Sequence, residues 1–212
     1  MAESKTLQKI KKKKWYGLYS KLFNNAFLGE TMATEDKELV GRAVTVNLAT
    51  LSGDIKRQAV SVGLVVSSVQ DGKAYADVVK YLTSPASIRR LVRRNVERVD
   101  TIVTCPTKEG VMVNIKIFIL AKSKTTGSVS KALQNECRSL MVNEVAKLDY
   151  PEFVWSLIEH RIQSDLKKAL GKIYPLKALE VKMFEVVHDA GKKEPTQVIE
   201  APQSEEKASN SA

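Results

Sequence analysis

Between Gly41 and Leu120 the dominant period of the apolar residues is two, the spacing that puts alternate side chains on one face of a half-buried strand. Val44, Val46 and Leu48 alternate with Ala43, Thr45 and Asn47. Residues 59–69 and 72–81 flank Asp71-Gly72, a dipeptide suited to a tight hairpin turn. A second hairpin is expected from 101–104, a turn around Lys108-Glu109-Gly110, and the long run 111–121. In that run Val111, Val113, Ile115, Ile117 and Ile119 share a face. The pattern predicts an antiparallel β system.

The period changes to that of a helix at 86–99. Ser84 can cap this helix, Pro85 fits its first turn, and Ile88, Leu91, Val92, Val96 and Val99 fall on one side. After a polar Gly/Ser/Thr loop at 122–130, two more helices are expected. The first, 131–148, buries Leu133, Cys137, Leu140, Met141 and Val145; the second, 151–170, stops at Gly171. Residues 178–187 read as a final strand.

Upstream of the strands, Trp15, Tyr16, Leu18, Tyr19, Leu22, Phe23, Phe27 and Leu28 form an aromatic, apolar segment that should lie on the body. Residues 1–14 are polar and lysine-rich; alone they cannot offset the entropy of ordering, so a disordered basic arm is expected. The tail after 187 is also expected to be disordered. The organisation predicted is an arm over 1–29, a globular body over 30–187 and a tail over 188–212.

Charge narrows the class of partner. The 212 residues carry 34 Lys and Arg against 24 Asp and Glu, a formal net charge of +10, which favours polyanions. The excess is uneven: residues 1–21 hold seven Lys against Glu3 alone, whereas 192–212 hold three Lys against four acids. Nucleic acid ranks first and an anionic membrane surface second.

Two features could carry that binding. In the expected helix 86–99 the apolar residues occupy an arc of roughly 140°, leaving Arg89, Arg90, Arg93, Arg94 and Arg98 around the rest. Only Glu97 stands within the helix to balance them, and guanidinium forks pair bidentately with phosphate oxygens. A solvated basic face is the plainer alternative. The second feature is Lys11-Lys12-Lys13-Lys14-Trp15-Tyr16, a cationic run that would release counterions from RNA. Its two aromatics can anchor the arm to the body or stack on bases.

Signs of catalysis are poor. His160 and His188 are the only histidines, and neither has a cysteine neighbour or a metal-ligand spacing. Cys105 and Cys137 are far apart and read as reduced, buried thiols. No phosphate loop, GxSxG or HExxH occurs, and Asp149, Glu152, Glu159 and Asp165 read as helix-surface acids. No enzyme, cofactor or metal is expected. No apolar run is long enough to span a bilayer, and no apolar signal core follows the first lysines, so a cytoplasmic protein is expected.

Several blocks in order carry a resemblance: Lys-Lys-Trp-Tyr at 13–16, Leu39-Val40-Gly41-Arg42 leading into Val-x-Val-x-Leu-x-x-Leu at 44–51, Ile88-Arg89-Arg90-Leu91-Val92-Arg93-Arg94, and Lys172-Ile173-Tyr174-Pro175-Leu176. Together they resemble the archaeal and eukaryotic small-subunit ribosomal protein family called S-one in the eukaryotic-type nomenclature, S-three-a in the older one. The match runs from about Lys12 to Val187, and the Ile-Tyr-Pro-Leu block is its most specific part. Length and the lack of a long C-terminal extension resemble archaeal members. The resemblance implies a β-barrel-like body decorated by helices. It also implies a place on the subunit platform, near the mRNA exit and the 3′ end of the small-subunit rRNA, against neighbouring platform proteins.

The reading is therefore an α+β, mostly antiparallel, barrel-like domain with packed helices that scaffolds rRNA. Its expected rRNA contacts are Lys11, Lys12, Lys13, Lys14, Trp15, Tyr16, Arg42, Arg89, Arg90, Arg93, Arg94 and Arg98. The rival is a free-standing RNA- or DNA-binding regulatory or architectural protein.

Overall fold

The computed structural model describes residues 12–187. Eight strands run as β1 (Lys14–Ser20), β2 (Ala26–Ala33), β3 (Ala43–Asn47), β4 (Val60–Gln70), β5 (Lys73–Thr83), β6 (Arg98–Pro106), β7 (Met112–Ala121) and β8 (Leu176–Val186). Between them lie α1 (Leu48–Ser52), α2 (Pro85–Leu91), α3 (Gly127–Lys147), α4 (Tyr150–Ile158) and α5 (Arg161–Leu170). All strands join one sheet, and every pairing is antiparallel except β1 with β5. The α+β, mostly antiparallel architecture is the expected one. The sheet stays open, however, with β2, β3 and β6 each paired on one side only among the described residues.

Strand β5 organises the sheet. Along one edge it pairs with the whole of β4, through the expected turn at Asp71-Gly72, whose φ values of 51° and 76° are those of a tight two-residue hairpin. Its other edge is shared: residues 73–76 take β1, and residues 80–82 take β8.

Inward-facing residues of the sheet meet α3, α4 and α5 in one core, with Tyr81, Ile115, Ile117, Leu133, Phe153 and Phe184 fully buried. Helix α3 starts at Gly127, earlier than the expected polar loop allowed. Val129, one turn before Leu133, extends the stripe Leu133, Cys137, Met141, Val145.

The single helix expected over 151–170 is two. His160 adopts φ 60°, and the carbonyl of Leu157 at the break accepts both the His160 N–H at 3.2 Å and the side-chain amide of buried Gln163 at 3.0 Å. In an unbroken helix, at about 100° per residue, Phe153 and Leu166 would stand roughly 140° apart. The break lets both face the sheet, where both are buried.

Residues 14–33 belong to this body, and the expected arm–body boundary at 29/30 falls inside β2. Tyr16, Leu18 and Phe23 are core residues, so burial rather than an outside partner holds the segment. Lys11, the chain before it and the tail 188–212, including His188, lie outside the described residues.

Candidate nucleic-acid interface

Helix α2 lies against the sheet face opposite the main core. Ile88 is buried there with Phe118 and Leu120 of β7, and Leu91, Val92, Val96 and Ala178 pack around them. All but one of the apolar positions read as a single helical stripe do converge here. The helix itself ends at Leu91, where Val92 turns to an extended conformation, and Asn95 takes φ 63°. From Arg98 the chain is strand: Arg98 pairs with Leu120 and Val99 with Ile119, and Val99, Thr101, Val103 and Cys105 alternate inward. A nine-residue ladder with β7 outweighs two further helical turns, so the expected helix 86–99 is corrected to one short helix, an irregular turn and a strand.

That change divides the arginines. Arg89 and Arg90 project from α2, Arg93 and Arg94 from the turn, and all four are exposed. None has an ion pair or side-chain hydrogen bond among the described residues. Arg98 is separated from them: on β6, its Nε and Nη2 donate to the two carboxylate oxygens of Asp100 at 2.9 and 2.7 Å.

Arg90 also lines a shallow cup with Lys56, Ser84, Ser87, Asn47 and Gln58, and Ile55 and Ala59 form its apolar part. Two cations and two hydroxyls around one open hollow suit a phosphate. Lys56 gave no sequence signal, because a lone lysine beside Arg57 reads as solvated surface; Arg57 itself pairs with Asp54 at 3.4 Å.

The remaining expected contacts separate as well. Lys12, Lys13 and Lys14 are exposed where the chain enters β1. Trp15 faces outward and is 64% exposed, while Tyr16 is buried and donates its hydroxyl to Asp36 Oδ1 at 2.6 Å. Tyr16 anchors the chain and cannot stack on a base. That hydrogen bond, with burial, raises the Tyr16 pKa above its ordinary value. Arg42 donates through Nη1 to the Thr31 hydroxyl and, at 3.1 Å, to the Met32 carbonyl, so it ties β2 to the chain entering β3.

The acids considered for chemistry do not converge. Asp149 pairs with Lys108, Glu159 with Arg161 and Asp165 with Lys168 at the surface, at 3.2, 2.6 and 3.2 Å. Among the described residues no group of His, Cys, Asp and Glu could hold a metal ion, and no helix is long and apolar enough to cross a membrane.

Residues 1–190 match the model of the Ribosomal S3Ae family. The chain belongs to that family. It is 30% identical to the small ribosomal subunit protein eS1 of Thermoplasma acidophilum, over 99% of this chain and 98% of that protein. Proteins of the same name from Methanothrix thermoacetophila and Picrophilus torridus are 23% and 26% identical, over 89% and 86% of this chain and 93% and 88% of theirs. These relatives are archaeal, and family membership extends across both ends of the described body.

Proposed function

We propose that this chain is a structural constituent of the archaeal small ribosomal subunit, in the cytoplasm, and that it holds rRNA through the arginines of α2 and the turn after it. It works as a scaffold and not as an enzyme. The observation that carries the reading is the exposure of Arg89, Arg90, Arg93 and Arg94 without acidic partners, on a segment pinned to the sheet by Ile88, Phe118 and Leu120. Four exposed guanidinium groups with no internal counter-charge, on one pinned segment, are suited to a polyphosphate backbone. Lys56 and the exposed Lys12, Lys13 and Lys14 extend the same chemistry, and Lys11 continues it in sequence.

In this reading the protein sits on the platform, near the mRNA exit and the 3′ end of the small-subunit rRNA, beside other platform proteins and passing mRNA. Contacts to phosphates position without specifying sequence, so recognition depends on the RNA's shape. The test is binding of the full chain to small-subunit rRNA across a salt series. Changing Arg89, Arg90, Arg93 and Arg94 together to Ala should weaken binding and reduce the log–log salt slope by about three. An unchanged slope overturns the arginine assignment. Sedimentation of the native protein away from small subunits at moderate salt would support a free-standing nucleic-acid-binding protein instead.

A further inference from the structure

The outward face of β1, β2 and β5 carries a group of aromatic rings that the core does not use. Tyr19 stands at its centre, 5.7 Å from the Phe27 ring and 6.4 Å from the Tyr75 ring between centroids. The registers bring the three together: Tyr19 pairs with Phe27 across the antiparallel ladder and with Tyr75 across the parallel one. Gly17 gives Tyr19 room, since a Cβ there would lie 3.0 Å from Tyr19 Cε2; the ring therefore leans over bare backbone. Two residues back, Trp15 pairs with Met32 and continues the patch; Phe27 and Met32 are 55% and 46% exposed.

Helices α3, α4 and α5 bury the opposite face and α2 covers the far end over β7, so no helix covers the rings within the described residues; Phe27 is exposed and Tyr19 and Tyr75 are half-buried. A lysine ammonium stands over each tyrosine ring. Lys73 Nζ lies 5.7 Å from the Tyr19 centroid and Lys21 Nζ the same distance from that of Tyr75. That is near the outer limit of a cation–π contact, so both ammonium groups remain free to meet an anion. Two acids share this face: Glu30 opposite Gly17, and Asp77 two residues beyond Tyr75. A phosphate track over either would be repelled, which leaves the path across Tyr19 between the two lysines.

Flat π-faces flanked by mobile cations are the surface that unpaired nucleotides use, bases stacking while phosphates meet the ammonium groups. A duplex hides its base faces and gains nothing from the rings. We propose that Tyr19, Phe27 and Tyr75, with Trp15 at the margin, form a stacking platform for an unpaired RNA segment whose phosphates meet Lys21 and Lys73. The proposal rests on the reading of the chain as an RNA-binding ribosomal protein and adds a second contact, selective for single strands.

The test titrates the full-length protein with a labelled short oligouridine strand, in competition with unlabelled single strand or a duplex of equal length. Leucine keeps a surface apolar but cannot stack, so Tyr19→Leu, Phe27→Leu and Tyr75→Leu should each weaken single-strand binding about tenfold. A protein partner's surface would tolerate leucine. Binding of oligouridine should also quench Trp15 fluorescence in the unaltered protein, read against a Trp15→Phe control that isolates it from Trp155. Circular dichroism melts establish that each variant folds; Phe27→Leu, at an exposed position, serves if Tyr19→Leu does not. Equal affinity of the folded leucine variants and the parent, or equal competition by the duplex, overturns the platform. The two assignments separate cleanly. Loss of rRNA binding in the arginine variant without any leucine effect removes the platform alone, and the reverse pattern removes the arginine assignment alone.

Discussion

Arg98 grips Asp100 through two parallel hydrogen bonds along the outward side of an edge strand. The pair neutralises a guanidinium that would otherwise join the cations around α2. An arginine already paired releases few counterions when RNA arrives. Arg98→Ala should therefore leave the salt slope of rRNA binding unchanged, whereas Arg93→Ala should lower it by roughly 0.7 to 0.9. Filter binding across a salt series checks both.

Phe153 meets Phe184 edge to face, with centroids 5.4 Å apart and planes at 88°, and neither ring is exposed. This contact joins α4 to β8 at the centre of the core. Phe153→Ala should cost about 3 to 5 kcal/mol in a urea titration. Phe27→Ala, on the outward face, should change stability by about 0.5 kcal/mol or less.

The difference between those two phenylalanines was only partly legible in the sequence. Strong alternation identified both hairpins and β8, because burial on one face writes a period of two that nothing local disturbs. Residues 15–20 also alternate, with Tyr16, Leu18 and Ser20 inward, yet aromatics on both faces masked the period. The arginine helix misled for the opposite reason. Val96 and Val99 fit a helical stripe, and only the long-range ladder of β6 with β7 decides that Val99 is in a strand. The break at His160 has no Gly or Pro to announce it. Of the candidate contacts, the arginines were visible by composition, but the roles of Tyr16, Arg42 and Arg98 as internal ties depend on partners distant in sequence or on local geometry.

Glu180 pairs with Phe118 on the face beneath α2, and desolvation raises its pKa, a rise that the nearby positive potential of His160 opposes. A carboxyl group with a raised folded pKa holds its proton more tightly when folded. Its contribution is present below the ordinary value of 4.5 and is lost as pH rises through the folded value. Glu180→Gln removes that charge. The variant should melt higher than the parent at neutral pH, and the gain should vanish below pH 4.5; calorimetry at the two pH values decides.

Burial pushes the Cys137 thiol up to about 12 and that of Cys105 up to about 11, from an ordinary 9.0. Tyr81 is pushed up to about 12 by the same cause. These groups keep their protons in the fold and lose them more easily when unfolded. Stability is therefore intact below pH 9.0 and falls as pH rises towards 11 and beyond. The urea midpoint should drop across that window. At neutral pH neither thiol should react with a disulfide-exchange reagent until the protein is unfolded.

Because β5 receives the first described strand and the last on the same edge, end to end, neither can complete that edge alone. Thr83 waits for the carbonyl of Val181, 98 residues further along the chain. During synthesis the hairpin of β4 and β5 emerges early with an unsatisfied margin, and closure is postponed until the final strand has left the tunnel. Such distant pairings fold slowly and leave sticky edges open meanwhile. A chain cut before β8 would strand both β5 and β7, so premature termination should yield aggregates instead of a smaller working protein.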